Sequence, residues 1–302
     1  MSVAFGKDAN KQCCASCGIA GGDDVKLKDC SACHLVKYCS VNCQRDHRPQ
    51  HKKECKGRVA ELWDEILFKQ PESSHLGDCP ICYLPLPLDK SKYGYVSYSC
   101  CSKRTCVGCD YNNHKREAQG KLQHSCPFCR KAAPGTGEEI NEQWMKRIEA
   151  NDPFAMRFIG TIRYKQGDYK AAFEYWTRAA DLGDVEAHYQ LSNLYRGEKQ
   201  VVEKDQKMEL YHTEQAAIGG HPRARHNLAC LEGKNGRADR AGKHFIIAAK
   251  LGFGESLERV KGLYKVGLIS KGDFAAALRG HQAAIDATKS TQREEAAKFV
   301  RI

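Results

Sequence analysis

Cysteine is confined to one part of this chain: of 17 cysteines, all but Cys230 precede residue 130, and most stand in pairs two residues apart. A Cys-x-x-Cys turn puts two thiolates on the same side of a tight knuckle. Two such pairs close a tetrahedron around one ion at roughly 2.3 Å per Zn–S bond. The N-terminal part is therefore expected to fold around zinc. An odd cysteine count, knuckle spacing and the lack of a signal peptide favour reduced, metal-bound thiolates, in the cytoplasm or nucleus, over a disulfide framework.

At 302 residues, 41% apolar and 28% charged, the chain has room for two or three domains, one of which can bury an ordinary core. The first dozen residues, MSVAFGKDANKQ, have no apolar h-region, and FIIAA at 245–249 is among the longest apolar runs. Neither secretion nor membrane insertion is expected. The formal charge of +11 suits nucleic acid or acidic protein surfaces, but its densest cluster, Arg45 to Arg58, falls where a zinc-binding helix is expected. It reads as a solvated helix face, and no finger spacing matches a helix-presenting DNA reader, so nucleic acid is not an expected partner.

The first ligand series runs Cys14-x2-Cys17, Cys30-x2-Cys33, Cys39-x3-Cys43, His51-x3-Cys55, eight ligands for two ions. The four-residue spacing of the last two pairs predicts two short helices, each with both ligands on one face. Cys13 competes with Cys14, but only Cys14 gives the two-residue gap; His34 and His47 read as surface or supporting residues. With Tyr38-Cys39, Cys43-Gln44 and His51-Lys52-Lys53-Glu54-Cys55, the series resembles a MYND zinc finger over its full length. The resemblance implies interleaved ligands: Cys14, Cys17, Cys39 and Cys43 on one ion, and Cys30, Cys33, His51 and Cys55 on the other. It also implies a groove for short, often proline-containing peptides of partner proteins. Some MYND fingers accompany a methyltransferase SET domain. No Asn-His-x-Cys signature of that kind is present, since Asn113-His114 continues into Lys115-Arg116.

After a helix-prone connector and a Pro/Ser break come Cys79-Pro80-Ile81-Cys82, Cys100-Cys101, Cys106-x2-Cys109 and Cys126-Pro127-Phe128-Cys129-Arg130. This series resembles a RING finger. The cross-brace of that family implies Cys79, Cys82, Cys106 and Cys109 on one ion, and Cys126 and Cys129 with a middle pair on the other. Lys103 stands where the family's usual histidine does, so the middle pair is expected to be Cys100 with Cys101. His114 or His124, a three-ligand site, or a metal-free site are the alternatives, giving one or two ions. The family's role is to hold a ubiquitin-conjugating enzyme in a reactive conformation, positioning without a nucleophile of its own. Its contact positions match Ile81, Pro127 and Arg130; Ile81 and Pro127 could equally just shape the knuckles.

Beyond residue 138 the texture is helical and self-similar. Ala155, Ala187, Ala224 and Ser256 are each followed four residues later by Ile159, Leu191, Leu228 and Val260. Doublets recur at Ala179-Ala180, Ala216-Ala217, Ala248-Ala249 and Ala283-Ala284, the first three followed by Gly183, Gly220 and Gly252. A period of 32 to 37 residues with small residues at fixed helical positions predicts stacked antiparallel helix pairs. The glycines suit C-terminal caps, and Asp168, Asp184 and Asp273 stand where N-caps belong. The pattern resembles SEL-one-like repeats, relatives of the tetratricopeptide repeat, which implies a solenoid that binds protein segments and carries no catalytic groups. Trp176, Tyr175, Phe173 and Phe245 read as packing residues, Cys230 as a small buried hydrophobe.

The expected fold class is thus small zinc-stabilised domains followed by an all-α helical-repeat solenoid. Its parts are a flexible N-terminus (1–13), a MYND-type finger (14–55), a helical connector (56–76), a RING-like finger (77–133), a linking helix (138–150), repeats (151–288) and a C-terminal tail (289–302). The expected function is a ubiquitin ligase or ligase adaptor whose repeats and MYND groove recruit client proteins. The alternative is a non-enzymatic scaffold.

Overall fold

The computed structural model describes residues 13–88, 94–197 and 202–299, so nearly all of the expected flexible N-terminus lies outside the described residues. The chain divides into two compact units, Met1–Lys69 and Gln70–Ile302.

In the first unit, β1 (Lys28–Asp29) and β2 (Lys37–Tyr38) form an antiparallel pair, with Lys28 opposite Tyr38. The helix α1 (Val41–Leu67) follows, with Ser40 as its N-cap accepting the Cys43 N–H. This corrects the expectation of two short helices. Eight residues separate Cys43 from His51 and four more lead to Cys55; these are near-whole numbers of turns, so one continuous helix presents all three on one side. Cys39 lies in a bend just ahead of the cap. The same helix absorbs the connector as far as Leu67, and residues 68–76 are not helical. Arg45, Arg48, Lys52, Lys53 and Lys56 lie exposed along it.

The second unit opens with an antiparallel pair, β3 (Tyr95–Ser97) and β4 (Arg104–Cys106), then α2 (Val107–Gln119). Next come α3 (Gly137–Glu149), α4 (Pro153–Lys165), α5 (Tyr169–Asp181), α6 (Val185–Arg196), α7 (Gln206–Ile218), α8 (Pro222–Lys234), α9 (Ala238–Lys250), α10 (Gly254–Lys265), α11 (Lys271–Ala287) and α12 (Thr291–Phe299). Consecutive helices pack as pairs, α4 on α5, α6 on α7 and α8 on α9, each pair stacked on the next; α11 packs on both α9 and α10. Ala155, Ala187, Ala224 and Ser256 have no exposed surface, and Ile159, Leu191, Leu228 and Val260 are buried beside them. Small residues there let helix axes approach closely enough for the larger ones to interdigitate. Trp144 and Ile148 of α3 join the core around Trp176, whose indole N–H donates to the Arg157 carbonyl.

Each of the first three alanine doublets ends its helix in the same way. Gly183, Gly220 and Gly252 have positive φ (85°, 81° and 91°), and the N–H of the residue after each glycine reaches the first alanine's carbonyl (Asp184 to Ala179, His221 to Ala216, Phe253 to Ala248). That six-to-one closure needs a left-handed residue, which glycine adopts at least cost. Asp168 and Asp184 cap α5 and α6, accepting the N–H of Ala171 and Ala187. Asp273 does not cap α11: Ser270 does, and Asp273 sits three residues on, accepting the Ser270 hydroxyl. Nor does the fourth doublet repeat the others, since Ala283 is exposed and Ala277 is the buried alanine of α11. The expected tail is also corrected, because 291–299 is a helix packed on α2. Among the described residues, no helix is long and apolar enough to cross a membrane.

Candidate metal centres

The structure gathers the cysteines and one histidine into four groups whose donor atoms all lie within 4.8 Å of one another. In the first unit these are Cys14, Cys17, Cys39 and Cys43, and separately Cys30, Cys33, His51 and Cys55. Cys17 Sγ is 3.6 Å from Cys39 Sγ, and Cys39 Sγ is 3.5 Å from Cys43 Sγ. His51 Nε2 stands 3.1 Å from Cys33 Sγ, and Cys30 Sγ is 4.0 Å from Cys55 Sγ. The edge of a zinc–thiolate tetrahedron is about 3.8 Å, given bonds of roughly 2.3 Å. The far nitrogen of His51 faces Glu54, 3.6 Å away, so a carboxylate sits behind the imidazole as it commonly does behind metal-bound histidine. His47 is a supporting residue, bonded through Nδ1 to the Tyr38 hydroxyl at 3.0 Å and stacked on His51.

The second unit holds Cys79, Cys82, Cys106 and Cys109 in one group, and Cys100, Cys101, Cys126 and Cys129 in the other. A single turn recurs through both units. The N–H of the residue after the second cysteine bonds back four residues: Gly18 to Cys14, His34 to Cys30, Tyr83 to Cys79 and Arg130 to Cys126, at 2.8 to 3.0 Å. Each of these residues has φ between 57° and 75°. The doublet uses the same turn one register over, because Ser102 N–H bonds to the Tyr98 carbonyl at 2.8 Å and Ser102 has φ of 57°. Tyr98 thus fills the place of a first cysteine, Cys101 that of the second, and Cys100 reaches in from between. Cys101 Sγ lies 3.7 Å from Cys126 Sγ, and Cys100 Sγ lies 3.3 Å from Cys129 Sγ.

Lys103 takes no part through its side chain, which lies over the Phe128 ring at 5.0 Å, while its carbonyl accepts the Tyr98 N–H. The alternative ligands His114 and His124 are outside the group. They stack on each other at 3.9 Å, and His124 Nδ1 bonds to Glu117 at 2.6 Å. Cys13 joins none of these groups.

No cysteine is joined in a disulfide, and the electrostatics of the groups call for a cation. Within each, neighbours push one another apart in acidity. Cys39 is driven up to about 12, first by the Cys43 thiol and then by Cys17 and Cys14; Cys79 is driven down by donation from Cys106, which is itself driven up. Four thiolates cannot ionise together at these distances unless a positive ion sits among them. All-sulfur and sulfur–nitrogen sets with tetrahedral spacing suit zinc, which would close each site structurally, leaving no coordination position for a substrate. Zinc is the cofactor that these Cys and His clusters suit.

Ile81 is 42% exposed in its knuckle, Pro127 is half-buried and Arg130 is exposed. The positive φ of Arg130 is the turn position just described, so its backbone has a structural role whatever its guanidinium contacts.

The MYND finger family matches residues 14–55. Those residues are a MYND finger. SET domain and MYND-type zinc finger protein 6 of Schizosaccharomyces pombe is 38% identical over 52 residues, 17% of this chain and 11% of that protein. Histone-lysine N-methyltransferase SMYD3 of Homo sapiens is 55% identical over 31 residues, 10% of this chain and 7% of that protein. The chain thus spans about a tenth of the length of these relatives. Among solved structures, a Sel1 repeat protein from Oxalobacter formigenes is 22% identical with a TM-score of 0.43, over 59% of this chain and 75% of that one. The protective antigen c5321, present in uropathogenic Escherichia coli strains and described as displaying an SLR fold, is 14% identical with a TM-score of 0.33, over 56% of this chain and 49% of that one. The architecture is a zinc-binding MYND finger followed by an all-helical repeat region, the latter resting on the helix pairs themselves.

Two buried polar sites had no signal in the cysteine pattern. Glu186 on α6 accepts His75 Nε2 at 3.1 Å, His221 Nε2 at 3.2 Å and Gln190 Nε2 at 2.7 Å. Although burial opposes ionisation, the His221 and His75 bonds hold its carboxyl well below the usual range. The trio has metal-like spacing, but His221 Nδ1 already accepts the Ala224 N–H as the N-cap of α8. Its proton therefore sits on Nε2 and points at Glu186, which makes the trio a hydrogen-bonded clasp. The other site is the Arg293 side chain, fully buried against the second module.

Proposed function

We propose that this zinc-binding protein-interaction protein is a ubiquitin ligase or ligase adaptor of the RING type, working in the reducing cytoplasm or nucleus. The observation that supports this is the gathering of the second module's cysteines into two interleaved groups of four. Cys79, Cys82, Cys106 and Cys109 gather as one candidate zinc set, and Cys100, Cys101, Cys126 and Cys129 as a second that does not use Lys103. A two-ion cross-brace holds Ile81 and Arg130 on rigid turns, which is what positioning a conjugating enzyme and its bound ubiquitin requires. The MYND finger and the helical repeats supply client recognition, the finger for short peptide motifs and the solenoid for longer segments. Zinc contributes only folding free energy in this scheme.

The test is zinc stoichiometry of the full chain followed by autoubiquitination with a panel of conjugating enzymes. Zinc in every group and transfer that is abolished by Ile81→Ala and by Arg130→Ala, with zinc content unchanged, is the expected result. Transfer unaffected by both substitutions overturns the contact assignment. Full zinc occupancy without transfer under any enzyme of the panel leaves the non-enzymatic scaffold.

A further inference from the structure

The last helix carries a buried positive charge to one metal centre. Arg293 lies in the first turn of α12, its N–H on the Ser290 hydroxyl oxygen at 3.2 Å, and its side chain has no exposed surface. One terminal nitrogen donates to the carbonyls of Pro85 (2.8 Å) and Thr288 (2.7 Å). The other donates to the Leu84 carbonyl at 3.1 Å and points at Cys82 Sγ, 3.6 Å away. No carboxylate is among these partners. Burying a guanidinium is unfavourable unless an anion faces it, and the anions within reach here are the Cys82 sulfur and, beside it, the Cys106 sulfur.

A centre of four thiolates around one divalent ion has a surplus of two negative charges, itself unfavourable in a buried site. The guanidinium and the centre therefore offset each other's desolvation, but only while the thiols are ionised, a state that bound zinc enforces. The packing around them is close. A β-carbon on Gly108, at the start of α2, would come within 3.0 Å of the Arg293 backbone nitrogen. Gln292 Oε1 lies 3.9 Å from Cys109 Sγ, Ala296 is fully buried, and Phe299 stacks on Tyr111 at 5.3 Å.

We propose that Arg293 is the counter-cation of the Cys79/Cys82/Cys106/Cys109 centre, and that α12 is a latch docked on the second module by metal occupancy of that centre. The chain's C-terminal helix, some 180 residues downstream of the last of these ligands by number (Cys109 to Arg293), thereby reports whether the centre is filled. The inference rests on that centre holding zinc, as proposed above.

The experiment is pulsed alkylation of the full-length protein under excess chelator, read by mass spectrometry cysteine by cysteine. In the wild type, Cys79, Cys82, Cys106 and Cys109 should label slowly; labelling at the rate of a free thiol would defeat the zinc reading itself, before any substitution is made. In R293M the same four should label about tenfold to a hundredfold faster, the range typical of lost support behind a metal ligand. Cys230, packed against the core of α8 and α9 in the same unit, should keep its wild-type rate and so report that the variant is folded. R293K, which keeps the charge, should lie between. Should R293M fail to fold, R293Q is read in its place.

Wild-type labelling in R293M, or equal labelling in R293M and R293K, overturns the counter-cation role and leaves packing alone. The latch is tested by hydrogen exchange in Cys106→Ser. Protection of 291–299 should be lost while that of α8 and α9 is kept; undiminished protection of 291–299 refutes the linkage.

Discussion

Acid should loosen the repeat region through histidines that the fold keeps neutral, and His244 on α9 is the sharpest case. It has no exposed surface. Burial first, and then the charges of Arg225, Arg240 and Lys243, push its pKa from the ordinary 6.5 down to about 3. Arg225 Nη1 lies 3.4 Å from its Nδ1 and is itself fully buried. Between the two values the unfolded chain binds a proton that the folded one refuses, so the contribution to stability is present above pH 6.5 and is lost as pH falls below it. One pKa unit corresponds to about 1.4 kcal/mol, so moving from pH 7 to pH 5 removes about 2 kcal/mol through this residue. His244→Gln keeps an acceptor for Arg225 and cannot titrate. Urea unfolding followed by tryptophan fluorescence should therefore show a loss between pH 7 and pH 5 that is smaller by about 2 kcal/mol in the variant than in the wild type. Taking the difference between the two proteins cancels zinc loss at the lower pH, which both share. Equal losses in the two would refute the assignment of His244 as a neutral buried group.

Glu186→Ala leaves the N–H groups of His75 and His221 buried without their acceptor, at about 1–3 kcal/mol each, so unfolding midpoints in urea should drop by an amount worth about 2–6 kcal/mol. Gly220→Ala forces a positive φ of 81° on alanine and sets its β-carbon 2.8 Å from the Ser73 carbonyl; a loss of about 2 kcal/mol or more is expected in thermal or chemical unfolding. Lys103→His should leave zinc content by mass spectrometry unchanged, because Cys100 already completes the group; a gain in bound zinc would contradict that ligand set.

What could be read from the sequence was what local chemistry dictates. The knuckles announce themselves because ligand spacing and turn geometry lie within five residues, and the helix pairs because small residues, caps and closing glycines recur in phase. The two MYND helices merged into one because the signal for continuity was the longer gap from Cys43 to His51, which pairwise spacing ignores. The Cys100-Cys101 doublet was legible as a pair of ligands, but its turn depends on Tyr98, an aromatic residue with no metal chemistry of its own. The fourth repeat kept its letters and lost their meaning: Ala283-Ala284 matches the pattern, yet α11 runs long and turns Ala277 inward instead. His221 hid a double duty, since it stands where Asp184 stands one repeat earlier, and only its second nitrogen makes the clasp with Glu186. Arg293 was invisible for the plainest reason, that nothing in a nine-residue helix names a partner some two hundred residues away.

The long helix of the MYND finger acts as a ruler shared by two ligand sets. Cys43 belongs to one, His51 and Cys55 to the other, and the Cys30–Cys33 knuckle lies within the loop that Cys17 and Cys39 close. When the first ion binds, it fixes the helix in register and shortens the loop that the second must close, so most of the closure entropy is incurred once. Capture of one ion is therefore expected to raise the affinity for the next, so that the finger fills or empties as a pair. A zinc titration of the finger should then be steeper than a lone tetrahedral site gives, with the half-loaded species sparsely populated.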